Sequence, residues 1–112
     1  MRPRMAKSRL SRRRLTALVE EAIIDAYGES EQRVGLLTML QEHLQVPFTT
    51  SLLGVTVRVT GVDLNDADEL VAVCRLGTQQ QRIPLTDLPL PTPPPLGWEW
   101  IEAYRHWARG VR

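Results

Sequence analysis

Residues 23–48 read IIDAYGESEQRVGLLTMLQEHLQVPF, and this stretch decides the fold. It closes one amphipathic helix at Tyr27-Gly28, opens a second at Glu29 or Ser30, and carries that helix through Leu44 to a Pro47 stop. Upstream, Leu15, Leu18, Val19, Ala22, Ile23, Ala26 and Tyr27 recur at i, i+3, i+4, i+7, the stripe of a helix with one buried face. Gly28 can take the positive φ of a helix terminus, and Ser30 is a residue type that caps the next one. In the second helix, about Ser30 to Gln45, Val34, Leu37, Leu40 and Leu44 form the stripe, with Leu36 and Met39 beside them. Gly35 costs about 1 kcal/mol relative to Ala inside a helix, so its presence predicts close approach of a neighbouring backbone. The first helix is that neighbour, which predicts a helical pair.

Downstream the pattern changes period. Val55, Val57 and Val59 alternate with Thr56, Arg58 and Thr60, which predicts a strand. A polar loop follows, Asp63 to Glu69, then a strand from Leu70 to Leu76, a Gly77-Thr78 turn and a strand from Gln80 to Leu85. Pro84 donates no ladder hydrogen bond, so it belongs at an edge or a strand end. Thr86-Asp87-Leu88 is a closing turn. Short strands with tight connections predict a small SH3-like antiparallel barrel or sheet. Leu90 to Leu96, LPTPPPL, is a stiff extended spacer, and its PxxP match is common by chance. The last helix, about Trp98 to Arg109, carries all three tryptophans and sets Trp100, Ile101, Tyr104, Trp107 and Ala108 on one face, a pattern of core packing rather than base stacking. The class is α+β: an N-terminal helical pair, a small sheet, and a C-terminal aromatic helix.

The chain has 112 residues and 43% hydrophobic composition, enough for one domain that buries roughly 65% of its unfolded surface. Its net charge of +1 conceals a division. Residues 1–14 hold Arg2, Arg4, Lys7, Arg9, Arg12, Arg13 and Arg14 with no acid, while residues 15–112 hold seven basic against thirteen acidic side chains, a net −6. The composition predicts a disordered basic arm, its last turn able to join the first helix, on a single acidic domain of residues 15–112. Such an arm could attract nucleic acid or anionic lipid through its charge. The single cysteine, Cys74, allows no internal disulfide and suits a cytoplasmic protein. No apolar run approaches the ~18 residues of a membrane span, and no signal sequence follows the basic N-terminus.

The sequence offers no catalytic constellation. His43 and His106 lack HExxH spacing, and there is no G-x-S-x-G, P-loop or G-x-G-x-x-G. Carboxylates are more suggestive, because calcium takes six to eight oxygen ligands from Asp, Glu, Asn, carbonyls and water. They concentrate at the corner (Asp25, Glu29, Glu31) and in the interstrand loop (Asp63, Asn65, Asp66, Asp68, Glu69). The loop is not an EF-hand. Asp63 and Asn65 match its first and third positions, but Ala67, Asp68 and Cys74 stand where a ligand, Gly and Glu belong. Asp and Asn also favour turns, and Glu29 and Glu31 would serve a helix N-terminus by about 0.3–1 kcal/mol.

Asp25-Ala-Tyr-Gly-Glu-Ser-Glu-Gln32, the Leu44-Gln-Val-Pro-Phe48 exit, the Gly54-Val-Thr-Val-Arg-Val59 strand and the Ile83-Pro-Leu-Thr-Asp-Leu88 closure together resemble the prokaryotic calcium-binding family CcbP, over about Leu18 to Trp107. The resemblance implies a small α/β protein that binds Ca²⁺ through surface carboxylates, in buffering or signalling and without catalysis. Its expected ligands are Asp63, Asp66, Asp68 and Glu69 in the loop, with Asp25, Glu29 and Glu31 at the corner. The chain is less acidic than the family's strong binders, and Thr49 to Leu52 lacks the basic and Cys residues of that position, so a weaker affinity is implied. The alternative is a nucleic-acid or protein adaptor built on an SH3-like barrel and the Arg2–Arg14 arm.

Overall fold

The computed structural model describes residues 10–110. Three helices and four strands follow in the order α1 (Arg12–Ala22), α2 (Glu29–His43), β1 (Phe48–Leu52), β2 (Val55–Leu64), β3 (Leu70–Leu76), β4 (Gln79–Pro84) and α3 (Glu99–Gly110). Expectations for residues 1–9 lie outside the described residues, and Arg12 to Arg14, counted with the basic arm, form the first turn of α1. Ser11 caps that helix, its hydroxyl accepting the Arg14 N–H at 3.0 Å.

Helix α1 ends a turn sooner than its apolar stripe. Leu15, Leu18 and Val19 are buried, but Ile24 and Tyr27 stand in solvent. The helix stops where it meets α2: a Cβ on Gly35 would collide with the Ala22 carbonyl, so the glycine sets the approach of the two helices as its position predicts. Gly28, at φ 98°, is the N-cap of α2 rather than a C-terminal residue of α1, and Ser30 makes no capping bond. Glu31 supplies the capping contact instead, accepting the Tyr27 N–H at 2.8 Å. The buried side of α2 is Leu36 and Leu40, continued by Leu44, while Val34 is half exposed.

The sheet is an antiparallel meander of four strands, β1-β2-β3-β4. It is open, so the SH3-like closure expected from the strand lengths does not form: β1 and β4 are its two edges. Helices do the work of closure, covering the face that carries Val57, Val59, Val62, Leu70, Ala72 and Cys74. The five residues of β1 lack the alternation of β2 and were legible only as an exit from α2; pairing from Phe48↔Val59 to Leu52↔Val55 makes them a strand. Strand β2 also runs four residues beyond Thr60, with a register shift between Val59 and Gly61 that restores Val62 to the core face. Pro84 is the last residue of edge strand β4, as its missing N–H requires.

Helix α3 completes the core. Trp100, Ile101, Ala103, Tyr104 and Trp107 are buried, and its strongest polar tie is Arg105, whose guanidinium donates to the Leu85 carbonyl at 2.9 Å and to the Leu88 carbonyl. Burial lowers the Arg105 pKa against the opposing pull of Glu102, its ion-pair partner at 3.4 Å. The Tyr104 hydroxyl accepts the buried Leu70 N–H at 3.3 Å and so fixes the start of β3. His43 stacks on Trp100 with ring centroids 5.8 Å apart. Both histidines thus lie on helix faces in structural contacts, His106 with Thr16 at 3.4 Å.

Candidate metal centre

The loop joining β2 to β3 is held by a side chain that imitates a turn of backbone. Asn65 Oδ1 accepts the N–H groups of Ala67 and Glu69, both at 2.9 Å, and the Asn65 N–H donates to the Glu69 carbonyl at 2.9 Å. Asp68 then takes a positive φ of 64°, a conformation Asp tolerates better than most residues. The turn directs Asp68 toward α2.

There it meets Arg33. Arg33 Nη1 donates to Asp68 Oδ2 at 2.5 Å, and Nη2 lies 3.7 Å from Glu29 Oε1, one helical turn back. The same guanidinium lies 5.0 Å above the Trp107 ring, and Trp107 Nε1 donates to Gln32 Oε1 at 2.8 Å. Arg33 is only 12% exposed while Asp68 and Glu29 are half exposed, so the cation is sheltered and its anions are wet. Beside it a cleft of about 440 Å³ opens between the loop, α2 and α3, bordered by Arg33, Asp68, Glu69, Tyr104 and Trp107.

The sequence-predicted carboxylates divide accordingly. Asp63 belongs to β2 rather than to the loop; one of its oxygens accepts the Leu64 N–H and the other faces Arg82 at 3.3 Å. Asp66 is exposed at the loop tip, and Glu69 Oε1 accepts from Asn65 Nδ2 at 3.3 Å. At the corner, Glu31 is occupied by the Tyr27 N–H and Asp25 stands exposed. The structure brings Asp68 and Glu29, from the two separate clusters, to one arginine. It does not gather a cage: among the described residues no three Asp, Glu, His or Cys side chains converge on one point.

In kind, the oxygens fit a hard cation. In arrangement, Asp63 and Asp68 are each already paired with an arginine, and among the described residues no calcium site is preassembled. Arg33 is the residue that sequence reasoning passed over. Its spacing of four from Glu29 was a signal for a helical ion pair, but nothing in the chain order connects it with Asp68 or Trp107.

Buried Cys74, raised in pKa by desolvation, sits among core side chains and has the surroundings of a structural thiol. No described helix is long and apolar enough to cross a membrane.

Comparison with known proteins agrees with this picture of the fold. The family model Calci_bind_CcbP, described as calcium binding, matches residues 16–108. The crystal structure of Anabaena CcbP superposes with a TM-score of 0.65 at 20% identity, covering 93% of this chain and 95% of that one. A structure described as a calcium binding protein in the calcium-binding form superposes with a TM-score of 0.61 at 19% identity, covering 88% and 89%. No curated protein sequence matches the chain.

Proposed function

The chain belongs to the CcbP calcium-binding family, and from that premise we propose that it binds Ca²⁺ without catalysis, through the carboxylates of the β2–β3 loop. The observation that carries the proposal is the family match over residues 16–108. Asp66, Asp68 and Glu69 are the loop's candidate ligands, with Asp63 at its entry. Asp25, Glu29 and Glu31 at the corner are a second group of candidate donors. Within it, Glu29 is nearest in function to the loop because it shares Arg33 with Asp68.

Binding at the loop is an exchange of cations. Arg33 already neutralises Asp68, so a calcium ion taking that carboxylate competes with a guanidinium. Competition of this kind weakens affinity and suits a protein that responds to high rather than trace calcium. It also gives the event a reporter, because Arg33 lies over Trp107. A buffering or signalling role in the cytoplasm accords with such a device. The nucleic-acid alternative rests on Arg2 to Arg14, mostly outside the described residues, and no comparison favours it.

The test is calorimetric titration of the full chain, freed of metal by chelator, with Ca²⁺ and separately Mg²⁺, followed by the same titration of an Asp66→Asn, Asp68→Asn variant. Asparagine keeps the positive φ at position 68 tolerable, so the variant loses charge rather than fold. Saturable calcium heat that the variant loses is the expected result. Absence of heat at millimolar Ca²⁺, or heat untouched by the variant, refutes the loop assignment.

A further inference from the structure

Most of the sheet is free of acidic side chains. No acid occurs from His43 to Val62 or from Leu70 to Thr86, the stretches that contain β1, most of β2, β3 and β4. The same stretches hold Arg58, Arg75 and Arg82. Arg82 is paired with Asp63 toward the loop end, but Arg58 and Arg75 sit directly opposite each other in the β2–β3 ladder. Among the described residues neither has a carboxylate partner; Arg75 has only the Gln80 amide oxygen, at 3.3 Å. Like charges directly opposed across strands destabilise a sheet. Among the described residues no ion pair offsets this repulsion.

The antiparallel meander puts the β1–β2 and β3–β4 turns at the same end, the end this pair is near. Those turns expose apolar side chains: Leu53 at 97%, Leu76 at 50% and Val55 at 44%. Leu53 is also conformationally strained. It and Gly54 both have positive φ, 52° and 79°, in a two-residue hairpin turn whose first position favours Asn or Asp. A bulky leucine there gives up backbone comfort and stands almost wholly in solvent. Such strain is the kind that accompanies a functional surface.

From these observations we propose that the hairpin end of the sheet is a docking face for an anionic lipid bilayer. Arg58 lies three residues behind Val55, about 10 Å along an antiparallel strand at ~3.4 Å per residue. Leu53, Val55 and Leu76 therefore enter the boundary between headgroups and acyl chains to the usual depth of about 5–10 Å while the two guanidinium groups remain at phosphate level. The charge complement selects anionic lipid, and separate protruding apolar tips suit a fluid bilayer better than a shaped protein partner. The hydroxyls and amides of the polar sheet face stay in water. This docking does not depend on calcium at the β2–β3 loop, which lies at the opposite end of the strands.

The test is flotation of the full chain with vesicles of phosphatidylcholine alone and of phosphatidylcholine with an equal amount of phosphatidylglycerol, at low and physiological salt. Two variants accompany it, Leu53→Asn and Arg58→Gln with Arg75→Gln. Asparagine relieves the turn, so Leu53→Asn folds at least as stably as the parent, and circular dichroism melting checks this. The expected result is salt-sensitive partitioning onto the phosphatidylglycerol vesicles only. It falls about thirtyfold in the double arginine variant, at roughly fivefold per basic residue near an anionic surface. Leu53→Asn lowers it about tenfold, on the scale of an apolar side chain withdrawn from the interface. Partitioning that both variants retain places the contact in the basic N-terminal arm and overturns the proposal. So does failure of the full chain to partition, or a light-scattering mass that halves in Leu53→Asn without vesicles, which would make a second copy the occupant.

Discussion

Replacing Arg33 by Gln strengthens calcium binding if the loop is the site. In the parent chain Arg33 opposes the ion in two ways, by occupying Asp68 and by repelling a second cation brought to the same carboxylate. The ion pair is half exposed on its anionic side, so breaking it costs only about 0.5–1 kcal/mol, the range of solvent-screened pairs. A unit charge about 4–5 Å from a divalent ion adds close to 2 kcal/mol in a high dielectric. Physiological salt reduces that to about 1 kcal/mol. The first cost applies if the guanidinium leaves and the second if it stays, so the expected gain is about 1 kcal/mol, or a roughly fivefold lower Kd in Arg33→Gln. Calorimetry measures the change directly, and tryptophan emission follows it independently, because in the parent calcium draws the guanidinium from Trp107 while in the variant that signal is missing. The variant's own stability falls by about 1–2 kcal/mol through loss of the cation–π contact and of the ion pairs with Asp68 and Glu29, which leaves the fold intact for the assay. Unchanged or weaker calcium binding by Arg33→Gln, beside a parent that binds, would refute the exchange. A parent that does not bind would instead remove the loop assignment itself.

Two further outcomes test the frame that carries the loop. Gly35→Ala sets a gain of about 1 kcal/mol in helix propensity against overpacking of up to about 3 kcal/mol. The obstacle is the Ala22 backbone carbonyl, which cannot rotate away, so a net loss near 2 kcal/mol and a Tm lower by about 8–16 °C are expected in thermal melts; an unchanged Tm would show that α1 and α2 separate freely. His106 has a pKa lowered by burial first, then by Arg109 and Arg12, so the folded state favours its neutral form. Its contribution to stability is present above its ordinary pKa near 6.5 and is lost as the pH falls through the lower folded value. Denaturant titrations from pH 8 to pH 5 therefore show a decline that His106→Asn reduces, and equal slopes in parent and variant would contradict the assignment.

Much of the frame was legible in one dimension because local chemistry alone dictates it. The i, i+3, i+4 stripe of α1 through Val19, the glycine at position 35, the valine alternation of β2, Pro84 at an edge and the buried face of α3 each follow from periodicity or from what one residue type permits. In α2 the expected stripe of Val34, Leu37, Leu40 and Leu44 is rotated: Leu36 and Leu40 are buried, and Val34 is half exposed. Where a boundary was misread, a longer-range contact prevailed over the local pattern. The stripe through Tyr27 continues past the last turn of α1, but packing against Gly35 ends the helix at Ala22. Phe48 to Leu52 carries little alternation of its own and is a strand because β2 offers it hydrogen-bond partners.

The candidate site divides along the same line. Sequence alone determined the inventory: which carboxylates the chain owns, that they group at a corner and in a loop, that no EF-hand is among them, and, through the resemblance, that the family is one of calcium binding. Only the tertiary structure decided which of these groups are available. It engages Glu31 at a helix start, places Asp63 beside Arg82, and joins Asp68 to Glu29 through an arginine that comes from a different element and is sheltered by Trp107. It likewise decided that the sheet stays open and that its two hairpin turns share an end. The reason is physical: residue type and spacing set the donors and the local backbone, whereas charge pairing and edge closure depend on which distant segments the folded core brings within a few ångströms.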